Sequence, residues 1–305
     1  MSIPKKVTVM EVGPRDGFQS VKNWIETSDK IAVILALFSA GVDKMEAVSF
    51  ISPKAIPQMR DAAEIIAAIR DRVDMDRVYA LVGNLRGAQQ AVDAGVRNIT
   101  FVISASEAHN LSNVRRTPAE SLELLRAVRT ELPSLHVKLS LATAFGCPFT
   151  GEVSLEQISF VLDGAMSLGV DDICLCDTIG VASPQLTEQR LLSLMERYGR
   201  DGNVKWSMHF HNTRGFAAAN TYAALKLGID RFETAAGGLG GCPFAPGASG
   251  NMATEDLVYM LRDMGIGCNV DLERTLDTAE HMNAALHLCT DSKINRVTMN
   301  KIFPR

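Results

Sequence analysis

Ala40-Gly41-Val42-Asp43, Ala94-Gly95-Val96-Arg97, Leu168-Gly169-Val170-Asp171 and Leu227-Gly228-Ile229-Asp230 are one four-residue phrase written at successive points of the chain. Before each glycine the apolar residues recur at helical spacing; after it the chain turns strand-like. Glycine is the usual residue at such a junction, because it takes the left-handed backbone conformation that ends a helix without a Cβ clash. The copies lie about two strand–helix units apart, so they mark every second unit of a longer alternating chain.

The units between the marks can be read directly. Strand-like runs fall at residues 7–12, 42–48, 78–82, 98–103, 136–142, 172–176, 205–211 and 231–235. Helical stretches separate them, among them 29–39, 57–69, 118–131, 154–167, 184–198 and 216–226. Thr117-Pro118 and Ser183-Pro184 each place a capping side chain before a proline in the first turn. Eight strands, each followed by a helix, predict an α/β fold of the (β/α)8 TIM-barrel class. The alternative is an open doubly wound sheet, but the first strand–helix loop lacks the Gly-x-Gly-x-x-Gly pattern that would favour it. The expected layout is a single catalytic domain over 1–305. The barrel takes up about 7–265, and a C-terminal helical extension runs over about 271–305 into a mobile end. No linker or low-complexity segment divides the chain.

The 305 residues are 47% apolar and 22% charged, with a formal net charge of -4, an ordinary composition for a folded, water-soluble chain. A slightly acidic balance with no basic block argues against a nucleic-acid or anionic-membrane partner. No run is apolar for long enough to span a bilayer. Residues 1–6 lead straight into a strand with no signal-peptide apolar segment. The expected compartment is therefore the cytoplasm, or an organelle matrix if a transit peptide precedes. Six cysteines in a chain this long do not make a disulfide framework. Cys174 and Cys176 share a strand face within an apolar run and read as small core residues.

In barrels of this class chemistry sits at the C-terminal ends of the strands. Strand 1 ends in Gly13-Pro14-Arg15-Asp16-Gly17, strand 2 carries Glu46, and strand 6 ends in Asp177. Strand 7 ends in His209-Phe210-His211. After strand 8 come Gly237-Gly238-Leu239-Gly240-Gly241-Cys242 and then Asn251. Strand side chains alternate, so His209 and His211 share a face and form half a metal site. Each of these residues alone is equally a solvated loop residue or a strand-end salt bridge; it is their convergence on one rim that points to a site. Asp16, two imidazoles and the Asn251 amide oxygen, with positions left for substrate, suit an octahedral Mg²⁺ or Mn²⁺ better than a structural zinc. Arg15, beside a ligand, would polarise a carbonyl or stabilise an enolate. Cys242 lies in a glycine-rich loop that can close over substrate with a proton donor or acceptor. The same glycines would also serve a turn with close backbone packing.

Several segments carry a resemblance: EVGPRDGFQ (Glu11 to Gln19), SFISPK (Ser49 to Lys54), GCP (Gly146 to Pro148), DTIG (Asp177 to Gly180), HFHNT (His209 to Thr213) and GGLGGCPFAPGASGNMATEDLVY (Gly237 to Tyr259). In order and spacing, from about residue 7 to 265, the chain resembles the 3-hydroxy-3-methylglutaryl-CoA (HMG-CoA) lyase family. That family belongs to the metal-dependent lyase and synthase superfamily of (β/α)8 barrels. The long glycine–cysteine block is the specific part; the His-x-His element is shared with isopropylmalate synthase relatives. The resemblance implies retro-Claisen cleavage of a 3-hydroxyacyl-CoA, foremost HMG-CoA to acetyl-CoA and acetoacetate. It further implies a divalent cation, Mg²⁺ or Mn²⁺, on Asp16, His209, His211 and Asn251. Arg15 would stabilise the enolate and Cys242 would transfer a proton to it. Glu46 would support the metal shell or hydroxyl deprotonation, and Asp177 would lie close by. An acyl-CoA partner and a homodimer or homotetramer follow from the same resemblance, although no decisive CoA-binding motif is legible.

Four stretches depart from the family pattern. Ser20-Val21 stands where Asn-Glu is usual, and Ala47-Val48 where Thr-Thr is. Ala55 replaces a tryptophan, and Asn212-Thr213-Arg214 replaces Asp-Thr-Tyr. These leave open a related branched acyl-CoA, or a methylmalyl- or citramalyl-type thioester, as substrate. Arg214 is then either a contact to a substrate carboxylate or an ordinary helix-start residue. A condensing synthase of the superfamily and a non-catalytic scaffold are the competing classes. The Cys242 loop and the short chain favour the lyase over the synthase, and retention of all four ligand residues disfavours the scaffold.

Overall fold

Eight parallel strands close into a barrel in chain order, with the first strand pairing with the last. They are β1 (Thr8–Glu11), β2 (Lys44–Ser49), β3 (Val78–Val82), β4 (Asn98–Ser104), β5 (His136–Ala142), β6 (Asp172–Asp177), β7 (Lys205–Phe210) and β8 (Arg231–Thr234). The structure, a computed structural model, describes residues 2–199, 203–241, 250–284, 286–288 and 290–299. The helices are α1 (Thr27–Ser39), α2 (Ala62–Ile69), α3 (Leu85–Ala94), α4 (Glu107–Val114), α5 (Pro118–Glu131), α6 (Leu155–Ser167), α7 (Pro184–Tyr198), α8 (Ala217–Lys226), α9 (Thr254–Asp263), α10 (Leu272–Ala284) and α11 (Lys293–Met299). The chain folds as a (β/α)8 barrel. Its strands are buried on both faces, which is why they read as near-continuous apolar runs. Among the described residues no helix is long and apolar enough to cross a membrane.

The repeated glycines do the work expected of them. Gly41, Gly95, Gly169 and Gly228 have φ of 92°, 99°, 76° and 86°, each turning the chain out of a helix toward the next strand. The helix starts are equally local. Thr117 with Glu120 and Ser154 with Gln157 form reciprocal capping boxes, and Ser183 accepts from Leu186 N at 3.1 Å ahead of Pro184.

Three local differences from the sequence-based expectation have physical causes. The stretch 57–69 is not one helix but a short turn at Pro57–Met59 followed by α2. The Gln58 carbonyl accepts Lys30 Nζ at 2.6 Å, Asp61 accepts the same ammonium at 2.9 Å, and the Gln58 amide donates to Val21 O at 2.9 Å. Helical continuity is given up to hold the segment before α1. Second, β7 and β8 stop one residue short, and His211 and Ala235 instead bridge to Asn251 and Ala253. Third, the β2–β3 register skips Ala47, a bulge immediately after Glu46.

The described part of the extension is docked on the barrel, and residues 300–305, at its expected mobile end, lie outside the described residues. Asp271 N donates to Ala40 O at 2.7 Å and Arg274 to Ser39 O at 2.9 Å, so α10 starts at the end of α1. Leu272, Leu276, Ala279 and Met282 are buried on the barrel. Beyond it Asp291 N donates to Gly237 O at 2.8 Å, and the Asp256 carboxylate caps α11 through the N–H groups of Lys293 and Ile294 at 3.0 and 2.9 Å.

The glycines of the repeated phrase should not be equally sensitive. A methyl on Gly95 meets open space, whereas one on Gly41 would lie 2.3 Å from the Asn269 carbonyl oxygen. Gly95→Ala is expected to cost about 1 kcal/mol in urea unfolding, the conformational penalty alone. Gly41→Ala should cost more, by at least another ~1 kcal/mol for displaced backbone. Equal losses would show that the Gly41 contact relaxes freely.

Candidate metal centre and active site

At the end of β1 the chain takes a π-helical turn, Gly13–Gly17, that opens with Asp16 N donating to Val12 O at 2.7 Å. This turn sets Arg15 and Asp16 at the barrel mouth beside the end of β7. Ligand atoms of Asp16, His209 and His211 all lie within 4.8 Å of one another, and the two imidazole centroids are 5.1 Å apart. The extended segment at Asn251 runs alongside: Asn212 N donates to Gly250 O at 2.9 Å and Met252 N to Phe210 O at 3.0 Å. The structure thus brings together all four residues expected to hold a cation.

The donor set fits a divalent cation on an observation independent of sequence. Asn251 Nδ2 donates to Asp16 Oδ2 at 2.8 Å and to Leu239 O at 2.9 Å. Both amide hydrogens are thereby used, and the amide oxygen is left buried without a hydrogen-bond partner among the described residues, as is His211 Nδ1. Each such orphan costs about 1–3 kcal/mol if nothing occupies it. An orphaned amide oxygen, an orphaned imidazole nitrogen, a carboxylate and a second imidazole are what a divalent ion coordinates.

The same groups set one another's charge, and the two imidazoles differ. Burial would push the Asp16 carboxyl up, but Arg15 and the two imidazoles outweigh it and hold the group below the usual range. Asp16 Oδ1 accepts from Arg15 Nη1 at 2.6 Å and from Gln19 Nε2 at 2.9 Å. Burial pulls the His211 imidazole down to about 4, helped by His209, so it is neutral at physiological pH. Burial also works against charge on His209. The hydrogen bond from Nδ1 to Glu233 Oε2 at 2.9 Å, together with nearby negative groups, overrides it and lifts the imidazole to about 9, so a cation bound at Nε2 would have to displace a proton there.

Arg15 forms a buried ion pair with Glu46 on the bulged edge of β2. Burial disfavours its charge, but Glu46 and Asp16 outweigh that and keep the guanidinium cationic. Glu46 Oε2 is a further buried acceptor without a partner among the described residues. Asp177 lies near His209 but is engaged elsewhere: its oxygens accept Val181 N at 2.9 Å and Ala182 N at 3.1 Å, and burial pushes the carboxyl up to about 6. The departures near the histidines also have local jobs. Asn212 Oδ1 accepts Ala217 N at 3.3 Å at the start of α8. Arg214 Nη1 donates to Ile179 O at 2.9 Å and to Gly180 O at 3.0 Å. Cys242 lies outside the described residues.

Sequence reasoning missed the carboxylates beneath the site. Glu11 accepts from Gly13 N at 2.8 Å, Ala236 N at 3.0 Å and Thr254 Oγ1 at 2.6 Å, tying β1 to the loop after β8; burial lifts it to about 7. Glu255 accepts Gly237 N at 3.1 Å and is likewise raised to about 7 by burial. Glu233 and Lys138 pair inside the barrel. The signal was there: these are charged residues inside or just beyond strands that are otherwise apolar, which a buried parallel strand does not accept without a partner.

Comparison with known proteins gives a consistent result. The profile of the HMGL-like family matches residues 6–282. A hydroxymethylglutaryl-CoA lyase of Bacillus subtilis is 43% identical over 282 residues, 92% of this chain and 93% of that one. A 3-hydroxy-3-isohexenylglutaryl-CoA/hydroxymethylglutaryl-CoA lyase of Pseudomonas aeruginosa is 37% identical over 99% of this chain and 100% of its own. Among solved structures, an HMG-CoA lyase from Acinetobacter baumannii in complex with coenzyme A and 3-methylmalate superposes with a TM-score of 0.91 at 36% identity, covering 100% of this chain and 99% of that one.

Gly240 tests how tightly the Asn251 amide is set. Its φ is 124°, and an added Cβ would lie 2.6 Å from Asn251 Nδ2. Gly240→Ala is therefore expected to displace the amide and lower kcat/KM by about 100-fold, the usual cost of an ångström-scale shift in a site, with the barrel's circular dichroism unchanged. A variant with wild-type kinetics would show that the amide position is not critical.

Proposed function

The chain belongs to the HMGL-like family, and from that premise we propose that it is a carbon–carbon lyase cleaving HMG-CoA to acetyl-CoA and acetoacetate with a divalent cation, Mg²⁺ or Mn²⁺. The observation that carries the reading is the pair of orphaned buried polar atoms, Asn251 Oδ1 and His211 Nδ1, beside Asp16 and His209. Asp16, His209, His211 and Asn251 would hold the cation. When bound, it supplies positive charge that acidifies the substrate hydroxyl and anchors a carbonyl or carboxylate oxygen.

The remaining roles fall to the chain's own groups. Arg15, fixed by Glu46 and Asp16, offers a permanent cation to the negative charge that builds on the departing thioester enolate. Cys242, carried on the glycine-rich loop, would deliver the proton that converts the enolate carbon to a methyl group. Glu46 keeps Arg15 in place and presents its second oxygen as an acceptor for the hydroxyl proton. Asp177, committed to its own loop, would act on the site only by shaping that loop near His209.

HMG-CoA is preferred over a differently charged acyl group because the two substitutions that argued for another substrate, Asn212 and Arg214, are accounted for by loop and helix contacts. A longer-branched acyl-CoA is the second reading, supported by the isohexenylglutaryl activity in the name of the Pseudomonas relative. We further propose that the barrel and its docked extension work as one catalytic domain, in the cytoplasm, as a dimer or tetramer. Light scattering reads the assembly.

The experiment is metal-dependent release of acetyl-CoA from a panel of hydroxyacyl-CoA thioesters. Chelation should abolish turnover, and Mg²⁺ or Mn²⁺ should restore it. Cys242→Ala should lower kcat by about 10²–10⁴-fold, the range of a lost acid–base group, and His209→Ala should lower cation affinity as well. If neither variant is impaired, Cys242 is not the proton donor and His209 is not a ligand. A better substrate than HMG-CoA in the panel would shift the acyl assignment alone.

A further inference from the structure

Beneath the cation ligands a chain of contacts crosses the barrel interior. His209 and Glu233 face each other in register on β7 and β8, and Nδ1 of the imidazole donates to Glu233 Oε2 at 2.9 Å. The other oxygen, Oε1, takes the ammonium of Lys138, which reaches in from β5. That lysine also lies 3.2 Å from Met10 Sδ on β1. Lys138 and Glu233 are 2% and 4% exposed. Each Glu233 oxygen thus has one cationic or N–H partner, and the carboxylate cannot swing away from the imidazole without abandoning a buried lysine.

We propose that Glu233 and Lys138 are positioning residues for the cation: Glu233 fixes the His209 ring with Nδ1–H engaged and Nε2 turned toward Asp16 and His211, and Lys138 pins Glu233 in that orientation. The inference rests on the cation site proposed above and adds a determinant outside the ligand set. The physical reason is tautomeric. A neutral imidazole carries one hydrogen, and if it sits on Nδ1 then Nε2 is left with a lone pair to donate. Ring rotation is blocked at the same time, so the ligand does not have to be reoriented when the ion arrives. The rival reading is that the pair merely balances buried charge. A pair of that kind can be replaced by apolar side chains without effect on the ligands above it.

The test is Mn²⁺ binding to chelator-stripped protein, read by electron paramagnetic resonance of the free ion, without substrate. It compares the wild type with His209→Ala, Glu233→Gln and the double variant Lys138→Met/Glu233→Leu. The double variant removes both charges together, so it leaves no unpaired ion and keeps the fold measurable if Glu233→Gln alone does not fold. Both Glu233 variants are expected to bind Mn²⁺ about 10–100-fold more weakly, the usual effect of losing a partner behind a ligand. Spin-echo spectra of the bound ion should show weakened ¹⁴N coupling from one histidine. Folded variants that bind Mn²⁺ as tightly as the wild type, whatever their melting temperature, would overturn the proposal. If His209→Ala leaves Mn²⁺ affinity unchanged, the cation site itself is wrong, an outcome separate from a failure confined to Glu233.

Discussion

A carboxylate cannot stay ionised inside a barrel mouth unless donors and cations surround it, and Asp16 is the point at which this structure meets that demand. Arg15, Gln19 and Asn251 all donate to it, from β1's own turn and from the segment beyond β8. Arg15 in turn needs Glu46, and Glu46 sits where β2 bulges against β3. Neutralising one buried charge therefore recruits residues from several strands. The cost of leaving any of them unpaired, several kcal/mol for a buried ion, explains why the mouth is so densely connected.

The same demand organises the connection after β8. Ala236 and Gly237 open a single 3₁₀ turn, whose first N–H groups have no partner within it, and two buried carboxylates, Glu11 and Glu255, accept them. The chain then passes Leu239, whose carbonyl takes one hydrogen of Asn251, before it reaches the glycine-rich stretch. Geometry at the Asp16–Asn251 contact and geometry at the loop entrance are consequently set by the same few contacts.

Much of this was legible in the sequence. The four-residue phrase located helix ends because only glycine is comfortable at the positive φ found there. The buried strands showed as apolar runs, and of the polar residues at their C-terminal ends Arg15, Asp16, Glu46, His209 and His211 meet in space, while Asp177 turns to its own loop. What was not legible depends on distance in sequence. Glu233 and His209, or Lys138 and Glu233, become partners only when the barrel closes, and no spacing rule links them. The break at Pro57–Met59 was hidden because a tertiary contact, Lys30 on the Gln58 carbonyl, overrides an otherwise helical pattern. Asn212 and Arg214 looked like clues to specificity because sequence shows what a residue can bind, not what already occupies it.

The contact between Asp291 and Gly237 ties the end of the chain to the entrance of the active-site loop. Just before Asp291 in the chain, α10 places Leu272, Leu276, Ala279 and Met282 in the same apolar core as the strands. Tail and barrel therefore share one interior, and a loop entrance on the rim is moored to a segment far downstream in sequence. The tail is a wall of the molecule rather than an appendage to it.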